Sequence, residues 1–559
     1  MKKALLFIGV LAASFTQAQV LYVNNSNGTY QAIDTQKVGD IIFEESEQVI
    51  YIELGDRMCS QFATSKITNI APTSNNGTEL IPNTNPTVAF NAADKDNFNE
   101  ITQEIPTNEL DDEYGDFVEN YSTSRIITIT FSENGVKTSS LPSGITATIN
   151  GGHIVINSTL GKIGYQLKGT CNNGSFKIYS DKKFRLLFNG ITLTNPTGPA
   201  INIQSGKTVY ASIVNGTTNT LCDGATYNNP VIGSDGEEED QKGTIFSEGQ
   251  LLINGNGTLN VTSLGGHGIC SDDYIRVRSG KINIESLKDG FHTNDLFRLG
   301  RTEKYSPVIT VKAGGDAIDC GKGYVLIEAG KMLLNSEGEG IKASYEEETP
   351  DPTITPDVTI AGGFVKIETT GSKSSAIKAT GNYAQRGGAV QAKVSGDGSK
   401  VVNADKSVAF AGGKLTGVAT GAVETVEITP AGGIKCAGDL AVTGGEIALK
   451  CTGTGSKAIN CDGNITVEGG SARLLTEGED YHDADGYKRA QGINCNNLTM
   501  NNGVLVVDSK QETLATSQVT MSGGTIQLTN ADSGNPEHFG WELQQTGGWL
   551  VKKYQAQQN

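Results

Sequence analysis

Three acidic residues of this chain recur in one register. Asp289, Asp316 and Glu339 each stand two positions before an apolar residue: Phe291, Ile318 and Ile341. Around the first lies KDGFHTND, residues 288–295, with an Asp-Gly turn, a histidine and a second aspartate. Asp272, Asp273, Asp295 and Asp319 are close by in sequence. Carboxylates repeated at a fixed offset are the donors a hard cation takes, and Ca²⁺ binds oxygens at about 2.3–2.6 Å. If the three acids stack one strand spacing apart, about 5 Å, each adjacent pair repels by about 3 kcal/mol at an effective dielectric near 20. A bridging calcium ion would relieve that repulsion. Solvation would also relieve it, since Asp-Gly is a favoured turn in its own right. A second acidic loop, residues 477–489, holds Asp483-x-Asp485-Gly486 but lacks the other ligands and the distal Glu of a calcium loop. It reads as a solvated insertion, and so does the charge run at 235–241.

The elements that must carry these residues show in the alternation of the chain. From about residue 121, short segments repeat as strand, glycine corner, strand, with almost no helical periodicity. The rungs align on Ile245, Ile269, Phe291, Ile318, Ile341, Ile377, Val402, Ile434, Ile459, Ile493 and Leu514. Two positions later stand only small residues: Ser247, Ser271, Thr293, Cys320, Ala343, Ala379, Ala404, Cys436, Cys461, Cys495 and Thr516. Between them the residue is usually polar, including His292, Asp319, Lys342, Lys378, Asn403, Lys435, Asn460 and Asn494. This is period-two alternation stacked in register, with apolar and small residues inward and polar residues outward. The architecture expected is all-β, a right-handed parallel β-helix. In it His267 and His292 fall on adjacent rungs in nearby columns. His292, Lys342, Lys378 and Lys435 become outward candidates for contact with an acidic ligand, since ammonium groups pair with carboxylates; a merely solvated face is the alternative. The stacked cysteines are expected to be buried thiols, because parallel side-chain vectors disfavour a disulfide.

Composition sets further bounds. The chain opens with two lysines and a short apolar run ending near Thr16-Gln17-Ala18, so residues 1–18 read as a secretory signal peptide without a lipobox cysteine. Residues 19–70 read as a small β module, 71–120 as an acidic linker, 121–535 as the β-helix and 536–559 as a C-terminal cap or tail. In that tail Trp541, Trp549, Phe539 and Tyr554 are expected to close the open end of the solenoid, with stacking on sugar rings as the alternative. The net charge of −18 leaves no basic stripe for nucleic acid. No later segment is apolar enough to span a membrane, and a monomer is expected, secreted, periplasmic or at the cell surface.

In chain order, YQLKGTCNNGSFKI, FRLLFNGITLTN, PAINI, LCDGATY, GTIFSEGQLLINGNGTLNV, GHGICSDDYIRVRSGKINIES, KDGF, GDAID and GEGIKAS resemble one known family. It is the β-helical carbohydrate-binding domain family of clostridial cellulose- and polygalacturonate-binding proteins, whose fold is similar to that of pectate lyases. The resemblance covers about residues 125–530. It implies a β-helix, bound calcium and non-catalytic binding of acidic or plant cell-wall polysaccharide. The calcium set it points to is Asp272, Asp273, Asp289, Asp295, Asp316, Asp319 and Glu339, and it makes the outward His292, Lys342, Lys378 and Lys435 candidates for glycan contact. Two other readings stay open. A lyase or glycoside hydrolase of uronic-acid polymers would use clustered aspartates with Gly266-His267-Gly268, or Arg276, Arg278, Arg298 or Lys288 as base. The order of these pieces differs from polygalacturonases, and their Arg-Ile-Lys segment is absent. A structural spacer or adhesin is the third reading.

Overall fold

The computed structural model describes residues 20–26, 29–34, 38–44, 49–54, 58–63, 67–71, 78–79, 114–227, 231–232, 236–301, 305–345, 351–484, 486–530 and 540–555. The expected signal peptide, Asp485, Phe539 and most of the expected linker lie outside these residues. Chain contacts divide the protein into two units, residues 88–415 and residues 1–87 with 416–559.

In the first unit the chain winds into coils of three strands. One coil runs through His267–Ser271, Tyr274–Val277 and Lys281–Ser286, and the next through Phe291–Thr293, Leu296–Leu299 and Val308–Ala313. Each strand pairs in parallel with its counterpart one coil on. This is a parallel β-helix. The first strands place Ile245 beside Ile269, then Phe291, Ile318, Ile341, Ile377 and Val402 in one unbroken register. All seven side chains are buried, each contributing about 1.5–3 kcal/mol of transfer free energy. The small residues two positions on are buried too, from Ser247 to Ala404, as the period-two alternation requires. Two antiparallel hairpins open the unit, Arg125–Ser132 with Gly135–Thr138 and Ile145–Asn150 with Gly152–Ser158.

Residues 114–120, which composition assigns to the linker, are docked on this wall as two short 3₁₀ turns. Val118 packs with Tyr210 and Leu252, and Tyr121 stacks on Tyr210 with ring centroids 4.4 Å apart. Residues 235–241 were also expected to be solvated. Glu237 and Glu238 are exposed, but Glu239 is pinned by the Lys177 ammonium and the Tyr179 hydroxyl and is half-buried. Lys177 offsets its charge, and Tyr179, two positions on in the same strand Gly174–Ser180, donates a hydrogen bond that helps hold the loop down.

The second unit repeats the design. Ile434, Ile459, Ile493 and Leu514 pair in register and are buried. Its N-terminal part is a small, mainly antiparallel β module, as expected. Strand Met58–Ala63 of that module pairs antiparallel with the last strand, Trp549–Gln555. Val551 joins Leu21, Val23, Ile33, Ile52 and Ile70 in one apolar cluster, and Trp541 and Trp549 are buried. The end of these coils is therefore closed by the C-terminal strand together with the N-terminal module. The eight cysteines whose side chains are described are all free thiols, and seven of them are buried. Among the described residues no helix is long and apolar enough to cross a membrane.

Candidate functional site

The face carried by the first strands brings two groups of titratable residues together, one at each end of the strands. The corner before the strands stacks His267, Asp289, Asp316 and Glu339 one coil apart, held by backbone bonds from Gly268 to Asp289, Gly290 to Asp316 and Ala317 to Glu339. Each side chain also accepts the backbone N–H of the next: Asp289 N–H to His267 Nδ1 at 3.2 Å, Asp316 N–H to Asp289 Oδ1 at 2.8 Å and Glu339 N–H to Asp316 Oδ1 at 2.7 Å. The outward column places Cys270, His292, Asp319, Lys342 and Lys378 side by side on successive strands. Corner and column meet. Asp289 Oδ2 lies 3.0 Å from both His267 Nδ1 and His292 Nδ1, and His292 Nδ1 lies 3.1 Å from Asp319 Oδ2. The two imidazoles stack with centroids 4.3 Å apart. Lys342 Nζ sits 3.3 Å from Asp319 Oδ1 and 3.5 Å from Asp316 Oδ2.

The electrostatics follow. Burial pushes the Asp289 carboxyl up, but the hydrogen bonds to His267 and His292 outweigh it and hold Asp289 well below the usual carboxylate range. Burial opposes the charge of His292, but its bonds to Asp289 and Asp319 raise it to about 9. Asp316 behaves oppositely. Burial and the adjacent Glu339 raise it to about 8, with Lys342 only partly offsetting them. The repulsion expected in the acidic ladder is therefore relieved by imidazoles at Asp289 and left in place between Asp316 and Glu339.

At the other end, Asp240, Glu248 and Asp272 bring carboxylate oxygens within 4.8 Å of one another. Lys242 reaches Asp272 at 2.6 Å and Asp240 at 2.7 Å. Asp273 is bonded by Gln250, and it is raised by burial despite that bond and by repulsion from Asp295 one coil on. Burial also raises Asp272 and Glu248. This donor set is all oxygen, so its chemistry fits calcium. The Asp289 corner mixes oxygen with imidazole nitrogen, which a hard cation does not select. The seven acids read from the sequence thus split between two places: Asp289, Asp316, Asp319 and Glu339 at one end, and Asp272, Asp273 and Asp295 at the other.

The candidate glycan contacts are also divided. Lys342 is paired as described, Lys378 reaches Asp405 at 2.6 Å, and Lys435 belongs to the second unit beside Asn460. Sequence reasoning missed Asp240, Lys242 and Glu248, which come from a charged loop and a strand end without periodicity. It also missed that Phe246 and Cys270, in the outward column, are buried. Lys242 lies over the Phe246 ring at 5.7 Å. Of the arginines considered as bases, Arg276 and Arg298 lie on the second strands and Arg278 directly after one. Arg276 Nη1 is 2.5 Å from Asp116 Oδ2, Arg298 is clamped by Glu328, and Arg278 lies over the Phe117 ring at 4.7 Å.

Comparison with known proteins finds similarity to a curated protein and to a solved structure. A carbohydrate-binding domain-containing protein of Acetivibrio thermocellus is 27% identical over 124 residues, 22% of this chain and 42% of the relative, so this chain spans less than half of that curated protein. A solved structure, the polysaccharide lyase-like protein from C. thermocellum as a gadolinium derivative, covers 52% of this chain and 94% of its own at 22% identity and a TM-score of 0.33. A family model described as carbohydrate-binding domain-containing protein matches residues 150–425 and 431–534, most of the chain, and the protein belongs to that family.

Proposed function

We propose that this protein binds polysaccharide without cleaving it, through the first-strand face, and that calcium assists by supplying positive charge. The observation that carries this reading is the oxygen-only cluster of Asp240, Glu248 and Asp272, flanked by Asp273 and Asp295. Glu248, Asp272 and Asp273, raised chiefly by burial, are carboxylates that hold either protons or a cation, and a divalent ion meets the preference for oxygen donors. Calcium bound there would give an acidic face, in a chain of net charge −18, an attraction for acidic sugars.

The lack of cleavage is supported by where the cations are. Arg276, Arg278 and Arg298 are buried on or just after the second strands, Arg276 and Arg298 in ion pairs with the protein's own carboxylates. Lys342 is held protonated by Asp319, Asp316 and Glu339 against its burial, which unfits it as a base. The test is a pulldown of the full chain on insoluble acidic and neutral glycans, with calcium and with EDTA, alongside reducing-sugar and unsaturated-product assays. Calcium-dependent retention on acidic glycan without product is the expected result. Product formation, or retention unchanged in EDTA, overturns it.

A further inference from the structure

The chain has 5 histidines, and two of them meet at one corner. We propose that His267, Asp289 and His292 form a site for a borderline divalent metal of the zinc class, separate from any calcium. Two successive coils supply it: His267 from one, Asp289 and His292 from the next. Asp289 Oδ2 lies 3.0 Å from each Nδ1, and ligand atoms of the three residues all lie within 4.8 Å of one another. A tetrahedral ion with bonds of about 2.0–2.1 Å requires ligand atoms about 3.3 Å apart. The two carboxylate–imidazole edges therefore have to open by only a few tenths of an ångström, and the fourth position is left to solvent.

Two further observations point the same way. Asp289 Oδ1 is braced by the Asp316 amide, as second contacts brace metal ligands. His267, Asp289 and His292 are half-buried, so an ion can enter from solvent. Two imidazoles and one carboxylate make a zinc-type donor set, and the nitrogens favour zinc, cobalt or nickel over calcium.

The experiment uses the full chain, without a histidine tag and stripped of metal. Zn²⁺ is titrated calorimetrically with and without a large excess of Ca²⁺, and Co²⁺ is added in parallel to read its visible absorption. One equivalent of zinc, retained against calcium, with a tetrahedral cobalt spectrum, is expected. His267→Gln and His292→Gln should each weaken zinc by about 10-fold or more, while His482→Gln should leave it unchanged. Circular dichroism of each variant identifies any that fails to fold, and the other then decides. Absence of saturable zinc binding, or binding that survives in the folded His267→Gln/His292→Gln double variant, overturns the proposal. No glycan enters this experiment, so its failure leaves the polysaccharide reading untouched.

Discussion

Asp289 grips the coil that follows it. Its Oδ1 accepts the backbone N–H of Asp316 at 2.8 Å, while its Oδ2 faces back to two imidazoles. One side chain thereby ties three coils at the corner where the acids crowd. Asp289→Ala leaves the Asp316 amide without its acceptor, takes the nearby carboxylate from His267 and leaves His292 with Asp319 alone. A loss of about 1–3 kcal/mol in metal-free buffer is expected from denaturant titration. Asp289→Asn keeps an oxygen for the amide and should lose less. Equal losses for the two would show that the amide contact contributes little.

The buried pair of Arg298 and Glu328 sets a second expectation. Both side chains are 3% exposed, and a second bond joins Arg298 Nη2 to Glu328 Oε1 at 3.1 Å. Removing one partner leaves the other charge buried, at a cost of about 3–5 kcal/mol. Arg298→Met and Glu328→Leu should each lower stability by that order, and the double replacement should recover much of it. A double-mutant cycle by chemical denaturation reads the coupling, and additive losses would refute it.

Close packing of one coil on the next shows at Gly323. A Cβ there would overlap the carbonyl of Asp295, whereas a Cβ at Gly206 meets nothing within 4 Å. Gly323→Ala is expected to cost about 1–3 kcal/mol through forced backbone shifts, and Gly206→Ala to be close to neutral. Thermal melts of the two variants side by side decide this.

Lys457 in the second unit gives a pH signature. Burial first, then the nearby Lys488, lowers it to about 8 from 10.5, although its Nζ donates to the Arg489 carbonyl at 2.9 Å. Between these values the unfolded chain holds the proton more tightly than the folded one. Stability should therefore rise with pH across roughly 8 to 10.5, and below 8 the full cost of a buried ammonium is present. Lys457→Met should flatten that rise in a melting-temperature profile. A profile identical to that of the parent would rule out this assignment.

The coil register was legible because it is nearly one-dimensional. Ile269, Phe291 and Ile318 each contact their equivalents one coil away, so spacing along the sequence maps directly onto neighbours in space. The meeting of His267 with His292 follows from the same register, since the two lie on adjacent coils. Cover from outside the register was not legible. Phe246 and Cys270 occupy outward positions and are buried, with Lys242 lying over Phe246. Arg276 and Arg298 look solvent-facing by alternation, yet Asp116 of the 114–120 segment covers the first and Glu328 the second. The acidic composition around residue 116 suggests a solvated linker, because composition does not register that its acids face buried guanidinium groups. Asp240 and Glu248 escaped notice for a related reason. The corner that gathers them with Asp272 is built from a loop without periodicity.

The segment at 114–121 bears on the order of assembly. Its partners lie far downstream: Tyr210 donates to Gly115, Tyr274 to Asp116 and Tyr305 to Glu119, the last 186 residues away. A chain emerges N-terminus first, so this strap exists long before the wall it fastens to. It can lock only when the coils through Tyr305 are in place, and until then the Tyr210 and Leu252 surface lacks Val118. The strap thus makes its contacts across long stretches of chain, and its full closure requires the coils beneath it to be present.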